Sequence, residues 1–239
     1  MYKNLIVSGC SFFAYPWEWE NPERLSYNKE IAKLDGKENL EKLKKYGIGN
    51  ILHNFLGTDK LYNFAQPGNS NKSIIYGVKN KLVEKNIDNS IVLIGLTQSV
   101  RYNIPAKKDS YSTFKFYIEP QLSEYERLTN KHQCTFEDLK KFNELRHKVY
   151  FSLEHYNNEL ILELDFINEF LKNTNSKLIV INNLYDVKLS GKEYLFDFPT
   201  NTNKWGEFIK SYDNTYRFVQ HPNADDHRIL AEELYKFLK

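Results

Sequence analysis

Residues 90–96 read Ser-Ile-Val-Leu-Ile-Gly-Leu. The run is apolar without alternation, short, and closed by a glycine and the polar pair Thr97-Gln98. A strand with one wet face would alternate; a continuous apolar run of this length fits a strand covered on both faces, as in parallel sheets. The same signature recurs in Leu5-Ile6-Val7, in Leu61–Phe64 and in Leu178–Ile181. Between these runs lie helical stretches: Ile31–Tyr46, Asn50–Leu56, Lys72–Lys85, Phe136–Lys148, Phe151–Lys172 and Ala224–Leu238. In 72–85, Ile74, Ile75, Val78, Leu82 and Val83 fall near one face. Alternating strands and helices predict an α/β fold, a three-layer α/β/α sandwich with a mainly parallel central sheet. Residues 105–133 are tyrosine-rich and irregular. The expected organisation is one domain over 1–239 with a helical or irregular insertion around 103–160.

Bulk composition narrows the function. Lys plus Arg number 33 and Asp plus Glu 31, a net charge of +2, with the charges interspersed. A general nucleic-acid binder would show a clear basic excess, so no nucleic-acid partner is expected. Only Cys10 and Cys134 are present, which make no disulfide framework. No stretch approaches the ~20 apolar residues of a membrane span, so no membrane partner is expected. Val7-Ser8-Gly9-Cys10 imitates a lipoprotein cleavage box, but only nine residues precede Cys10. A signal segment needs a charged region plus roughly 7–15 apolar residues. The expectation is a strand end in a cytoplasmic protein without cofactor or metal; oligomeric state is not readable.

Parallel sheets bind ligands beyond the carboxyl ends of their strands. Those ends are Gly9-Cys10-Ser11, Ala65–Gly68, Gly95–Gln98 and Asn182-Asn183. Ser11 is either a helix cap or a nucleophile, and residue type alone leaves the cap ahead. Cys10 is the rival nucleophile, but a thiol needs an exposed, activating environment, and the residue before a cap often faces the core. Gly68 is either part of a Pro-Gly turn or a backbone donor into the crevice. Arg101 either clamps an anion or braces a carboxylate. His221 precedes Pro222-Asn223, a plausible helix start, while His227 lies one turn in and reads as structural. A metal set of His221, Asp225, Asp226 and His227 matches no spacing with a defensible precedent.

The order of these segments is more specific than any one of them. Gly-Cys-Ser-Phe after the first strand, Asn63-x-Ala65-x-x-Gly68 with Asn69-Ser70-Asn71 after the second, Gly95–Arg101 after the third, and His221-Pro222-Asn223 before the last helix together resemble the SGNH/GDSL hydrolase superfamily, in its branch with Gly-Cys-Ser-Phe in the first block. The resemblance rests on residues 5–12, 63–71, 91–101 and 219–234. It implies a flavodoxin-like fold and a serine esterase with Ser11 as nucleophile and His221 as base. Gly68, Thr97, Gln98, Arg101 and Asn71 would bind the oxyanion or substrate.

Three departures from the pattern bear on activity. The acid that usually precedes the histidine by two or three residues is replaced by Val219 and Phe218, which leaves Asp213, Asp225 or Asp226 to orient the ring. The asparagine of the third block is replaced by Thr97 beside Gln98, and Cys10 stands where an aspartate is common. Tyr15-Pro16-Trp17-Glu18-Trp19 offers either a sugar platform or ordinary packing. The expected substrate is a small-molecule or glycan ester with an acetyl-like acyl group. The alternatives are an acyltransferase on the same site and a catalytically impaired glycan-binding or structural module.

Overall fold

A computed structural model describes residues 2–17, 28–34, 39–85, 87–97, 101–106, 110–115, 135–145, 152–183, 189, 191–199, 204–212 and 221–239. The first half runs β1 (Asn4–Gly9), α1 (Ser11–Ala14), α2 (Lys29–Ala32), α3 (Leu40–Leu43), α4 (Ile48–Leu56), β2 (Lys60–Asn63), α5 (Asn71–Lys85) and β3 (Ser90–Leu96). The second half runs β4 (Arg101–Ala106), β5 (Ser110–Lys115), α6 (Phe136–Leu145), α7 (Leu153–Lys172), β6 (Lys177–Asn182), α8 (Trp205–Tyr212) and α9 (Ala224–Leu238). The main sheet has the order β2-β1-β3-β6 and every pairing in it is parallel.

The unalternated strands are explained by where their side chains go. Leu5 and Val7, Ile91 and Leu93, and Ile179 and Ile181 face one side, against Ile48 and Leu52 of α4, Trp205 and Phe208 of α8, and Leu230 and Leu234 of α9. The intervening Ile6, Val92, Ile94, Leu178 and Val180 face the other side, against Ile74 and Val78 of α5 and Leu164 and Leu171 of α7. Each strand thus feeds two cores, and the three-layer sandwich follows.

Three local expectations change. Arg101–Ala106 and Ser110–Lys115 pair as antiparallel strands β4 and β5, whereas irregular chain is the sequence expectation from residue 105 onward. Pro105 inside the first of these runs weakens a strand signal read from sequence. The continuous helix expected over 31–46 is instead α2, α3 and a 3₁₀ turn at Lys44–Tyr46; Gly36 lies in the middle of that span and has low helix propensity. On α5, Val83 is 80% exposed although its neighbour Leu82 is buried. One residue is a 100° step around the helix, enough to carry Val83 past the edge of the buried stripe.

The sheet order reverses direction at β1, whose neighbours are β2 on one side and β3 on the other. The carboxyl ends of β1 and β3 are therefore the topological switch point. Gly9 and Gly95 are register partners there, and the Phe13 side chain of α1 lies across both. A Cβ on Gly95 would come within 2.5 Å of the Phe13 ring, and one on Gly9 within 2.7 Å of the Phe13 Cβ. The absent side chains let α1 sit directly on the strand ends.

A second long-range tie joins α9 to α4. The residue before α4 is Gly47, which has no side chain to cap the helix. The Ile48 backbone N–H instead donates to Nδ1 of His227, 3.1 Å away. His227 is fully buried, edge-on to Trp205. Burial holds its pKa down to about 3, and the nearby His221 adds to the effect.

Two predictions follow from these contacts. Gly95→Ala should lower the unfolding free energy in urea by roughly 1–3 kcal/mol, the usual cost of overpacking a filled core. A wild-type unfolding midpoint would show that Phe13 does not press on this strand. For His227, the folded pKa lies below the ordinary 6.5, so below that pH the unfolded chain binds a proton the folded chain refuses. Its contribution is complete above pH 6.5 and is lost as pH falls toward 3, at up to about 1.4 kcal/mol per pH unit. His227→Gln should flatten the fall in stability between pH 6.5 and 5; equal slopes in the two proteins would contradict this.

Candidate active site

Ser11 is the first residue of α1, and the cap position belongs to Cys10, whose side chain makes no capping bond. The helix turn closes through Phe13 N–H and Ala14 N–H donating to the Cys10 carbonyl. The Ser11 hydroxyl is therefore not used as a cap. Cys10 is fully buried among Val7, Phe12 and the helices of its layer, away from solvent. A thiol in that environment has no route to a substrate.

Asn223 starts α9 and explains how the histidine loop is held. Its side chain accepts from Asp226 N–H at 2.9 Å while the Asp226 carboxylate accepts from Asn223 N–H at 2.8 Å. This reciprocal capping box satisfies two helix-end donors and fixes the entry of the chain into α9. His221 lies two residues outside it. Its Nε2 is 2.8 Å from the Ser11 Oγ, across 210 residues of sequence. With the ring proton on Nδ1, the hydroxyl donates to Nε2, the arrangement a general base requires. The imidazole lies flat on Trp17, with ring centroids 4.2 Å apart and planes at 17°, and Phe12 packs beside it at 5.1 Å.

The loop after β2 is fastened to the same place. Gln66 N–H and the Asn69 side-chain amide both donate to the Gly9 carbonyl, at 3.1 Å each. Gly68 in this loop has φ +85°, a left-handed value that favours glycine. Asn71, expected at the substrate, has a different placement. Its Nδ2 donates to the Thr97 carbonyl at 2.9 Å, and its Oδ1 accepts from Thr97 N–H at 2.7 Å. The fully buried Asn71 side chain thus mimics a strand partner and ties the start of α5 to the end of β3. Among the described residues, neither the buried Thr97 Oγ1 nor either side-chain amide atom of Asn183, just after β6, finds a hydrogen-bond partner.

Other expected site residues are placed less completely. Gln98 and Asp213 lie outside the described residues, and of Arg101 only its place at the start of β4 is described. Asp225 and Asp226 fall in the first turn of α9, where Asp226 closes the capping box. Among the described residues, no three His, Cys, Asp or Glu side chains gather as metal ligands would. No described helix is long and apolar enough to cross a membrane.

One site residue was missed as such. Trp17 was read as a sugar platform or packing, yet its ring stacks on the imidazole and on Tyr15, 5.6 Å away at 21°. A loop residue eight positions after the strand could have signalled this only through its aromatic character, which many packing roles share.

Comparison with known proteins finds no matching family model and no matching curated protein. Among solved structures, the chain is similar to a carbohydrate esterase family 2 enzyme plus carbohydrate-binding domain from Corynascus thermopiles (Myceliophthora fergusii), with 12% identity and a TM-score of 0.48 over 99% of this chain; the chain spans 65% of that protein's length. It is similar to the psychrotrophic esterase EstA from Pseudoalteromonas sp., with 10% identity and a TM-score of 0.46, covering 99% of this chain and 96% of the other. It is also similar to a protein of the G-D-S-L family from Desulfitobacterium hafniense, with 7% identity and a TM-score of 0.40, covering 98% of each chain. All three scores lie below 0.5, so the chemistry of this chain has to be read from its own residues.

Proposed function

We propose that the chain is a serine esterase of SGNH type that hydrolyses small acyl esters, with Ser11 as nucleophile and His221 as general base. The observation that carries this reading is the 2.8 Å approach of His221 Nε2 to Ser11 Oγ. A serine hydroxyl is a weak nucleophile at neutral pH and needs a base within this distance. As Oγ bonds to the acyl carbon, its proton passes to Nε2 and the carbonyl electron pair moves onto oxygen. The tetrahedral species then breaks its bond to the alcohol, which leaves with the proton from Nε2. Water repeats the sequence on the acyl-serine: its proton goes to Nε2, the bond from the acyl carbon to Oγ breaks, and Ser11 recovers its hydrogen.

The oxyanion needs donors aimed at where charge develops. The reading assigns this to the backbone N–H groups of Ser11 and Gly68, each worth about 2.7–4 kcal/mol in such sites. Ser11 is only 4% exposed, which favours an acetyl-sized acyl group over a long chain. The sugar expectation leaned on the run Tyr15–Trp19; Tyr15 stacks on Trp17 and Trp17 on His221, so these two rings spend a face on contacts within the protein.

The test is hydrolysis of p-nitrophenyl esters together with labelling by a fluorophosphonate probe. Wild-type protein should be labelled on Ser11 and should cleave the acetate at least about 10-fold faster than the octanoate. Ser11→Ala should abolish labelling, and His221→Ala should lower kcat by roughly 10³-fold or more. Folded wild-type protein that neither labels nor hydrolyses would overturn the reading.

A further inference from the structure

The two residues of the proposed dyad lie far apart in sequence, Ser11 at the start of α1 and His221 just before α9, and one residue touches both. The Trp17 backbone N–H donates to the Pro222 carbonyl at 3.0 Å. Pro222 is the residue after His221, so this bond pins the histidine loop. The Trp17 indole Nε1–H donates to the Ser11 carbonyl at 3.3 Å, which pins the nucleophile's own residue. The indole face then lies 4.2 Å from the His221 ring, nearly parallel to it. A residue involved only in packing would not need all three contacts, and a sugar platform would leave its face open.

We infer that Trp17 is a positioning residue for the dyad: it clamps the start of α1 to the His221 loop and sets the plane of the imidazole. The inference rests on the esterase reading and deepens it. Free rotation about the His221 Cβ–Cγ bond would swing Nε2 away from Oγ, and a flat partner on the ring face opposes that rotation. Phe12, at 5.1 Å and tilted by 47°, gives a second wall on the imidazole. This restraint acts on the ring face and is independent of the hydrogen bonds made at its edge. The face also suits the reaction, because the imidazolium formed when Ser11 loses its proton is a cation lying on an indole π system, an attractive arrangement.

The placement also gives a reason for the spacing between Ser11 and Trp17. Helix α1 lasts only from Ser11 to Ala14 and ends at Tyr15, which is extended. The helix stops there, and a side chain six residues on from Ser11 reaches back to the Ser11 carbonyl.

The experiment compares Trp17→Leu and Trp17→Phe with wild type, using full-length protein and p-nitrophenyl acetate. Trp17→Leu removes both the flat face and the N–H donor. It should lower kcat by about 10- to 100-fold, the scale of a small misplacement of reacting groups, with KM within about 3-fold of wild type. Trp17→Phe keeps a flat face and should recover to within about 5-fold of wild type. A loss in KM alone would make Trp17 a substrate platform and overturn the inference, as would a wild-type kcat in Trp17→Leu. Should Trp17→Leu fail to fold, the His221 ring protons in the NMR spectrum of wild type, assigned with His221→Gln, decide the matter. They should be displaced upfield by the indole ring current, and ordinary positions for them would overturn the stack. Wild-type protein that shows the upfield protons but is not labelled by fluorophosphonate would sink the esterase reading and leave the clamp standing.

Discussion

The Phe13 ring lies over two facing glycines, and the geometry of the site depends on that contact. Gly9 and Gly95 are partners across β1 and β3, and neither could carry even a methyl group without meeting Phe13. The constraint is steric and local. Its consequence is that α1 begins at the point where the sheet order reverses, the place where such sheets open a crevice. Ser11 is the first residue of that helix. Sequence makes the glycines, the glycines admit the ring, and the ring places the hydroxyl.

The rest of the site is brought to Ser11 by bonds from side chain to backbone rather than by charge. Asn69 reaches the Gly9 carbonyl, Asn71 doubles onto Thr97, and the Asn223–Asp226 box sets the start of α9. His227 supplies the acceptor that Gly47 cannot give to α4. The Asn71 and His227 bonds satisfy buried backbone groups, which when left unpaired cost about 1–3 kcal/mol each.

Much of this layout was legible in the residues, for definable reasons. Strands buried on both faces are short apolar runs, so β3 was readable at Ser90–Leu96, and an amphipathic helix with a polar start made α9 readable at Ala224–Leu238. Gly9-Cys10-Ser11 and His221 stood out because they fall at a strand end and just before a helix. The β4–β5 hairpin was not legible, since Pro105 and the polar content of 101–115 blur the period of a strand. Asn71 reads the same in sequence whether it faces a substrate or a strand end, and only the fold decides. Trp17 was ambiguous for the same reason: an aromatic residue announces burial or stacking without naming its partner.

The central claim is that Ser11 Oγ attacks an acyl carbon with His221 at its side. A crystal structure of the protein after reaction with a small organophosphonate tests it most directly. Phosphorus should be bonded to Ser11 Oγ, with His221 Nε2 within hydrogen-bond distance of the adduct and a phosphoryl oxygen facing the Ser11 and Gly68 backbone N–H groups. An unmodified Ser11, or an adduct with the His221 ring turned away from it, would contradict the account.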